Sequence, residues 1–457
     1  AAGLLMLSPA LGAAPLALRV DNVTALYPVT VARIERPVTV AEVAAMVKAW
    51  PGAIGVGGGR FSMGGQVAVA DGLHLDLRGL NQLVWLRADE RRVRVQAGMS
   101  WRALQEALDP LGLAVHTMQS YANFTVGGSV SVNAHGRYVG HGPVGQSVQA
   151  LALVLADGSV VEASREQHPE LFAAAIGGYG AVGVIVEVEL ALAENVRIER
   201  RVQELPLAAY RAHFEQAVRG DATSVLHNAD LRPPAFDRPV CVTWHRTDAA
   251  VTDPLRLTPH GASHGLEQTA LWAVTELPGG GGLRRKVIDP LRLGSPAVCW
   301  LNREASLDVA ELEPRTRRIT TYALQEYFVP PRHFEAFVQG MAQVLQRHRV
   351  HVVNVSVRHT PADTVALLPW AREEVFSFVL YHKQRTSDEA CEAVGVWTRE
   401  LIDLVLAHEG RYYLPYQLHA TRAQFERAYP EVQALRSLKA RVDPAGRFSN
   451  SLWARYL

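Results

Sequence analysis

Cysteine is scarce in this 457-residue chain: Cys241, Cys299 and Cys391 are odd in number and far apart. Such spacing supplies neither a disulfide framework nor the clustered ligands of a zinc site, so the three read as packing residues and no metal is expected. An excess of charge is missing as well, with 46 Lys and Arg against 45 Asp and Glu. No basic surplus is left to condense on nucleic acid. What remains is 48% hydrophobic and 20% charged, ordinary for a globular enzyme, and the length exceeds what one core serves. Two or three domains are expected.

The first eighteen residues carry no charge, and their alanine-rich character suits the end of an export signal or membrane anchor. An arm packed on the domain explains them equally, because Pro9 and Pro15 interrupt any spanning helix. The first alternative would associate the chain with a membrane or the periplasm. From Asp21 onward the pattern becomes regular. Thr39 and Glu42 form a capping box ahead of Val40, Val43, Ala44 and Val47, one buried helical face. Residues 73–77, "LHLDL", alternate strictly as a strand does, residues 83–98 read as two strands about a polar turn, and Asp157-Gly158 marks a hairpin. Helices mixed with many short strands give an α+β fold.

Three glycine-rich stretches stand out. The first, "GGGRFSMGGQ" at 57–66, follows an apolar run and exposes successive backbone N–H groups that can converge on a phosphate. A dinucleotide Rossmann motif would open a long helix here, and Gly64-Gly65 forbid one. The second, residues 120–148, places Gly127, Gly128, Gly136, Gly140, Gly142 and Gly145 among small polar side chains and two histidines, and the third lies at 174–190. Small residues at this density suit a flat ring pressed against backbone. Together they suggest one long ligand, although each alone could be a turn with no guest.

These motifs, GGGRFS at 57–62, a Val-Gly-Gly to His-Gly segment at 126–136 and "IGGYGAVGVI" at 176–185, resemble the FAD domain of the vanillyl-alcohol oxidase and p-cresol methylhydroxylase (PCMH-type) superfamily. Asp443-Pro444 and Phe448-Ser449-Asn450 resemble its closing segment. Within the superfamily, 126–145 is most similar to decaprenylphosphoryl-ribose oxidase, with aldonolactone and alditol oxidases as neighbours. The resemblance implies a two-part FAD-binding domain and a substrate cap with an antiparallel sheet flanked by helices. It divides the chain into an arm at 1–25, an FAD domain at 26–200, a cap at 201–410 and a returning segment at 411–457. It implies that Val56, Gly57, Gly58, Gly59, Arg60 and Ser62 take the diphosphate, and that Thr125, Gly127, Gly128, Ser131, His135 and Gly136 line the ribityl chain and ring. Gly183 and Ile185 would meet the adenine side, and Asn450 the pyrimidine edge. Phe61 stands where many relatives carry the histidine that bonds the flavin, and Tyr121 and Ala122 where bicovalent relatives keep cysteine. FAD is therefore expected without a covalent link.

In the middle third, residues 320–330, 351–360 and 375–384 alternate enough for strands and would form a ceiling over the flavin. The stretches at 257–272 and 275–287 read as irregular, and the Gly279–Gly282 run suits a mobile loop that could serve as a lid rather than a phosphate site. Such a ceiling must take a proton from an alcohol and stabilise reduced, anionic flavin. Against the Glu-x-Arg pair and lysine of the aldonolactone and alditol oxidases, this chain has Ser356, Arg358 and Tyr416. Arg358 and Tyr416 are the leading candidates, followed by Gln325, Tyr327 and His382, with Tyr413, Gln417 and His419 behind them. For Tyr327 and Tyr413 half-buried packing is the favoured alternative, and for His382 and His419 an exposed or simply satisfied ring is; for Arg358 and Tyr416 the two readings balance. Two functions follow. One is an FAD oxidoreductase acting on a small-molecule alcohol and reoxidised by oxygen or another acceptor. The other is a flavin-binding protein of the same fold without turnover, which the missing glutamate and lysine favour.

Overall fold

A computed structural model describes residues 17–259, 293–312, 314 and 316–457. Residues 1–16 of the apolar arm, and nearly all of the two irregular stretches that include the lid loop, lie outside the described residues. Among the described residues no helix is long and apolar enough to cross a membrane.

The N-terminal part opens with the expected helix, Val40–Ala49, whose cap Thr39 accepts from the Glu42 N–H at 3.2 Å. Val43 and Val47 are buried beneath it. The helix feeds the strand Ile54–Gly57, which pairs in parallel with Leu73–Asp76, and that strand pairs in turn with Arg33–Glu35. Leu73–Asp76 pairs in parallel along both edges and is buried on both faces. His74 and Asp76 are polar but covered. A second, antiparallel sheet runs in the order Val160–Ser164, Val148–Val154, Val184–Glu194, Arg92–Gln96, Leu83–Arg87. Gly158 makes its first hairpin with φ of 83°, a conformation that glycine adopts without strain.

Between Glu194 and Arg197 the chain leaves that sheet for another, close to the expected boundary at 200. The cap sheet is antiparallel throughout and has eight strands among the described residues. From its centre to one edge stand Ser224–Leu231, His351–Thr360, Val375–Arg385, Thr320–Val329 and Arg411–Tyr412. Three of these match the predicted strands almost to the residue. Helices Phe334–Arg347 and Asp388–Ala407 cover one face, so alternate residues of each strand pack on helix while their neighbours look the other way. The other face roofs a cavity.

After Arg411–Tyr412 the chain returns to the N-terminal part. Phe448 bridges Ile54 in parallel, Trp453 Nε1 donates to the Gly178 carbonyl at 3.0 Å, and Lys439 Nζ donates to the carbonyls of Ala181 and Phe448 at 2.9 and 2.7 Å. The strand that leads into the first glycine-rich stretch, and the third stretch itself, are thereby tied to the closing segment.

Candidate active site

The three glycine loops and the cap sheet enclose a cavity of about 860 Å³, toward the upper end of what small-molecule and cofactor sites occupy. Val56 to Ser62 form one wall, Thr125, Gly127, Gly128, Ser131 and His135 a second, and Gly183 and Ile185 a third. The floor is built from backbone. A Cβ on Gly58 would come within 2.1 Å of Thr125 Oγ1, so the first and second loops touch only because position 58 is bare. Arg60 bends away with φ of 62°. Its guanidinium reaches Asp76 at 3.3 Å, a carboxylate that Arg36 and Arg78 also hold, at 2.8 and 2.6 Å. Burial would raise the Asp76 pKa, but these bonds hold it well below the usual carboxylate range.

Four wall residues carry buried polar atoms with no partner: Arg60 Nε, Ser120 Oγ, Thr125 Oγ1 and Arg358 Nε. Native interiors rarely leave such atoms unpaired, and four around one cavity fit a large polar guest. Phe61 packs on Phe124 at 4.2 Å between ring centroids and offers no atom that could alkylate.

On the ceiling, Tyr322, Leu324 and Glu326 of one strand face the cavity, as do Val379 and Tyr381, Asn354, Ser356 and Arg358, and Asn228 and Asp230 of its successive neighbours. Strand parity therefore overturns three sequence-based candidates. Tyr327 packs on Phe337 of the covering helix at 6.0 Å, Gln325 shares its side of the strand, and His382 meets Trp397 edge-on at 5.0 Å. Burial pushes His382 down to about 4, consistent with a neutral packed ring. Two expected cofactor contacts also lie off the cavity wall. Gly136 is pressed against the second loop's own backbone, where a Cβ would meet the Met118 carbonyl at 2.2 Å. Asn450 caps the last helix, accepting from Leu452 and Trp453 N–H, and donates to the Tyr179 carbonyl at 2.8 Å. Of the lower-ranked candidates, Tyr413 lines the cavity and donates to the Val132 carbonyl at 2.8 Å, while Gln417 and His419 bond one another behind it at 3.2 Å.

The residue that sequence reasoning missed is Glu326. It is 2% exposed. Its Oε2 accepts from Tyr416 O–H at 3.0 Å and its Oε1 lies 2.5 Å from His135 Nε2. Tyr416 and Arg358, the leading candidates, share this chamber, and burial together with Glu326 holds the Tyr416 hydroxyl well above the usual tyrosine value. The one carboxylate in a largely apolar strand, "YALQEYFV", was the available signal, because acids are almost never buried without a partner. Registers pair Asp230 with Ser356, Ser356 with Val379 and Val379 with Glu326. Ser356 thus stands in one row with a carboxylate two strands away, about 10 Å by strand spacing. Gln66 was also missed: its side-chain amide donates to the carbonyls of Leu414 and Tyr416, at 2.7 Å each, and so fixes Tyr416 to the first glycine loop.

Family models agree with this architecture at both ends of the chain. A model described as an FAD binding domain matches residues 31–164, and one described as D-arabinono-1,4-lactone oxidase matches residues 315–457. The chain belongs to the PCMH-type FAD-dependent aldonolactone and alditol oxidase family. Within that family it is 24% identical to L-gulonolactone oxidase of Mus musculus over 434 residues, with 87% of each chain covered. It is 26% identical to alditol oxidase of a Streptomyces species over 429 residues, covering 92% of this chain and 95% of the relative. A shorter match, 33% identical over 116 residues, links it to the mitochondrial L-galactono-1,4-lactone dehydrogenase of Arabidopsis thaliana. As a member of this family the protein is an FAD-dependent oxidoreductase acting on CH–OH donors.

Proposed function

We propose that the enzyme oxidises one hydroxyl-bearing carbon of a polyhydroxy compound, an aldonolactone, an alditol or a close chemical relative, with oxygen or another acceptor closing the cycle. One observation carries this reading: the cavity-facing side of the cap sheet is polar on every strand that roofs the chamber, with Asn228, Asp230, Asn354, Ser356, Arg358, Tyr381 and Glu326 turned inward. Hydroxyls spaced along a carbon chain are the natural complement of such a surface, since a hydroxyl both donates and accepts and can bond to amides, carboxylates and guanidinium alike. The names of the relatives, lactone and alditol oxidases, support the same class.

FAD, when bound, supplies the acceptor for a hydrogen that leaves carbon with its electron pair. The chain's residues supply the rest. Val56 to Ser62 would hold the diphosphate through backbone N–H groups, with Arg60 lending positive charge. Thr125, Gly127, Gly128, Ser131 and His135 would border the ring, and Gly183 and Ile185 the adenine side. No covalent bond is expected, because Phe61 has no nucleophile. Tyr416 would take the proton of the reacting hydroxyl. Arg358, a permanent cation in a covered chamber, would favour the negative charge that develops as oxidation proceeds.

Anaerobic mixing of the yellow protein with a panel of aldonolactones, alditols, phenolic alcohols and hydroxy-lipids tests this. Bleaching by lactones or alditols is the expected result. Bleaching confined to phenolic or lipid alcohols would overturn the substrate class, and a panel without effect would favour a flavin-binding protein without turnover. Acid precipitation should release all of the flavin to the supernatant, and yellow colour retained in the pellet would refute non-covalent binding.

A further inference from the structure

Tyr416 raises a difficulty for the reading just given, on which the present inference rests. A phenol that takes a proton must give up its own, and burial, with Glu326 beside it, keeps that hydroxyl protonated; Arg358 opposes the shift without reversing it. No standing phenolate serves as the base. The geometry supplies an outlet. Tyr416 O–H donates to Glu326 Oε2 at 3.0 Å, so its proton points at a carboxylate while its oxygen can still accept from a guest in the cavity that it lines. Glu326 Oε1 is engaged at 2.5 Å by His135 Nε2, which donates when the carboxyl is ionised. Each carboxylate oxygen thus holds one cavity-lining partner, and Tyr416 is the one whose hydroxyl proton already points at Glu326. The other titratable groups under its influence are Arg358 on a nearby strand, Tyr413, Tyr179 and Tyr429. Of these only Arg358 is a cation.

We infer that Glu326 is the terminal proton acceptor of the reaction, reached through Tyr416 and held in place by His135. The substrate O–H bond breaks and its proton forms a new O–H bond on Tyr416, while the original Tyr416 O–H bond breaks and its proton passes to Glu326 Oε2. Tyr416 ends as it began, a neutral phenol. Glu326 goes from carboxylate to carboxylic acid, and no electrons move in the relay. The hydrogen on the carbon departs separately with its electron pair, as the hydride that FAD would accept when bound, and the substrate carbon becomes a carbonyl.

Difference infrared spectroscopy of the flavin-loaded protein at neutral pH tests the resting state without any substrate. Glu326→Gln should remove an ionised-carboxylate band and leave the protonated-carboxyl region unchanged. Tyr416→Phe should shift that same band by removing one of its hydrogen bonds. Loss of a protonated-carboxyl band in the first variant, or no shift in the second, would overturn the relay. With any compound that bleaches the parent, Glu326→Gln should slow flavin reduction on the order of a hundredfold and change its solvent deuterium isotope effect, with substrate affinity nearly kept. Reduction at the parent rate would also overturn it. If no compound bleaches the parent, the oxidation reading fails by itself, and the infrared result still decides whether Glu326 stands ready as an acceptor.

Discussion

The glycine loops and the cap sheet face each other across one cavity, yet they build their halves of it from different material. The loops use backbone: Gly58 is bare because a Cβ would meet Thr125 Oγ1 at 2.1 Å, and Gly127 because one would meet Ala97 Cβ at 2.5 Å. The cap uses side chains, and only those on one face of its strands. A missing side chain is written in the sequence. Which face a side chain takes is not, because a one-residue slip in register sends every residue of a strand to the opposite side. Cofactor-side residues were therefore legible in blocks, whereas on the strand Thr320–Val329 the two residues flanking the functional one were chosen and Glu326 between them was passed over.

The largest effect should come from damaging the backbone half. Gly58→Asp places a carboxylate against Thr125 and among N–H groups suited to a diphosphate, so flavin binding should be abolished. Absorbance of the purified variant reads this directly, and normal occupancy would break the contrast between the halves. Damage to the side-chain half should leave the cofactor in place. Tyr416→Phe is expected to keep full FAD occupancy while the rate of flavin reduction falls on the order of a hundredfold or more. Loss of flavin instead would mean that Tyr416 belongs to the cofactor side.

Acid should weigh more on the cap. Burial pushes His382 down to about 4 and His227 and His419 to about 3, all in or beside the cap sheet; in the N-terminal part His74 is pushed to about 4, mainly by burial with Arg60 adding to it. An unfolded histidine protonates near 6.5, so below that pH the unfolded chain binds protons that the native one refuses. Native stability is full above about 6.5 and should fall as the pH drops, by roughly 1.4 kcal/mol per histidine for each pH unit until the native group titrates. A Tm that stays flat between pH 6.5 and 5 would show that these rings are not held neutral. The smallest effect is expected from Tyr327→Phe. Its hydroxyl is buried without a partner on the helix-covered face, so removing it should leave flavin reduction within about twofold and stability unchanged or slightly raised. A large kinetic loss would place Tyr327 in the site and void the parity assignment.

Local patterns carried much of the architecture on their own. The Thr39 cap, the hairpin at Gly158, the cap strands and the three glycine loops each obey short-range rules of capping, turn geometry and alternation, which need no knowledge of the rest of the chain. The same locality explains why the bare-backbone wall of the cavity could be located residue by residue, apart from Gly136 and Asn450, which lie off that wall. Other features depended on partners distant in sequence. Leu73–Asp76 is buried on both faces although its residues alternate apolar and polar, because the rest of the fold covers both sides of its sheet, and Gln66 earns its role from carbonyls 348 and 350 residues away. Glu326 sits between His135 and Tyr416, 191 residues before it and 90 after. The sequence alone determined the three glycine-rich stretches that wall the cavity, because glycine spacing is a property of each segment by itself. Only the tertiary structure decided the proton-handling group, because a buried carboxylate acquires its function from the donors that folding brings to it.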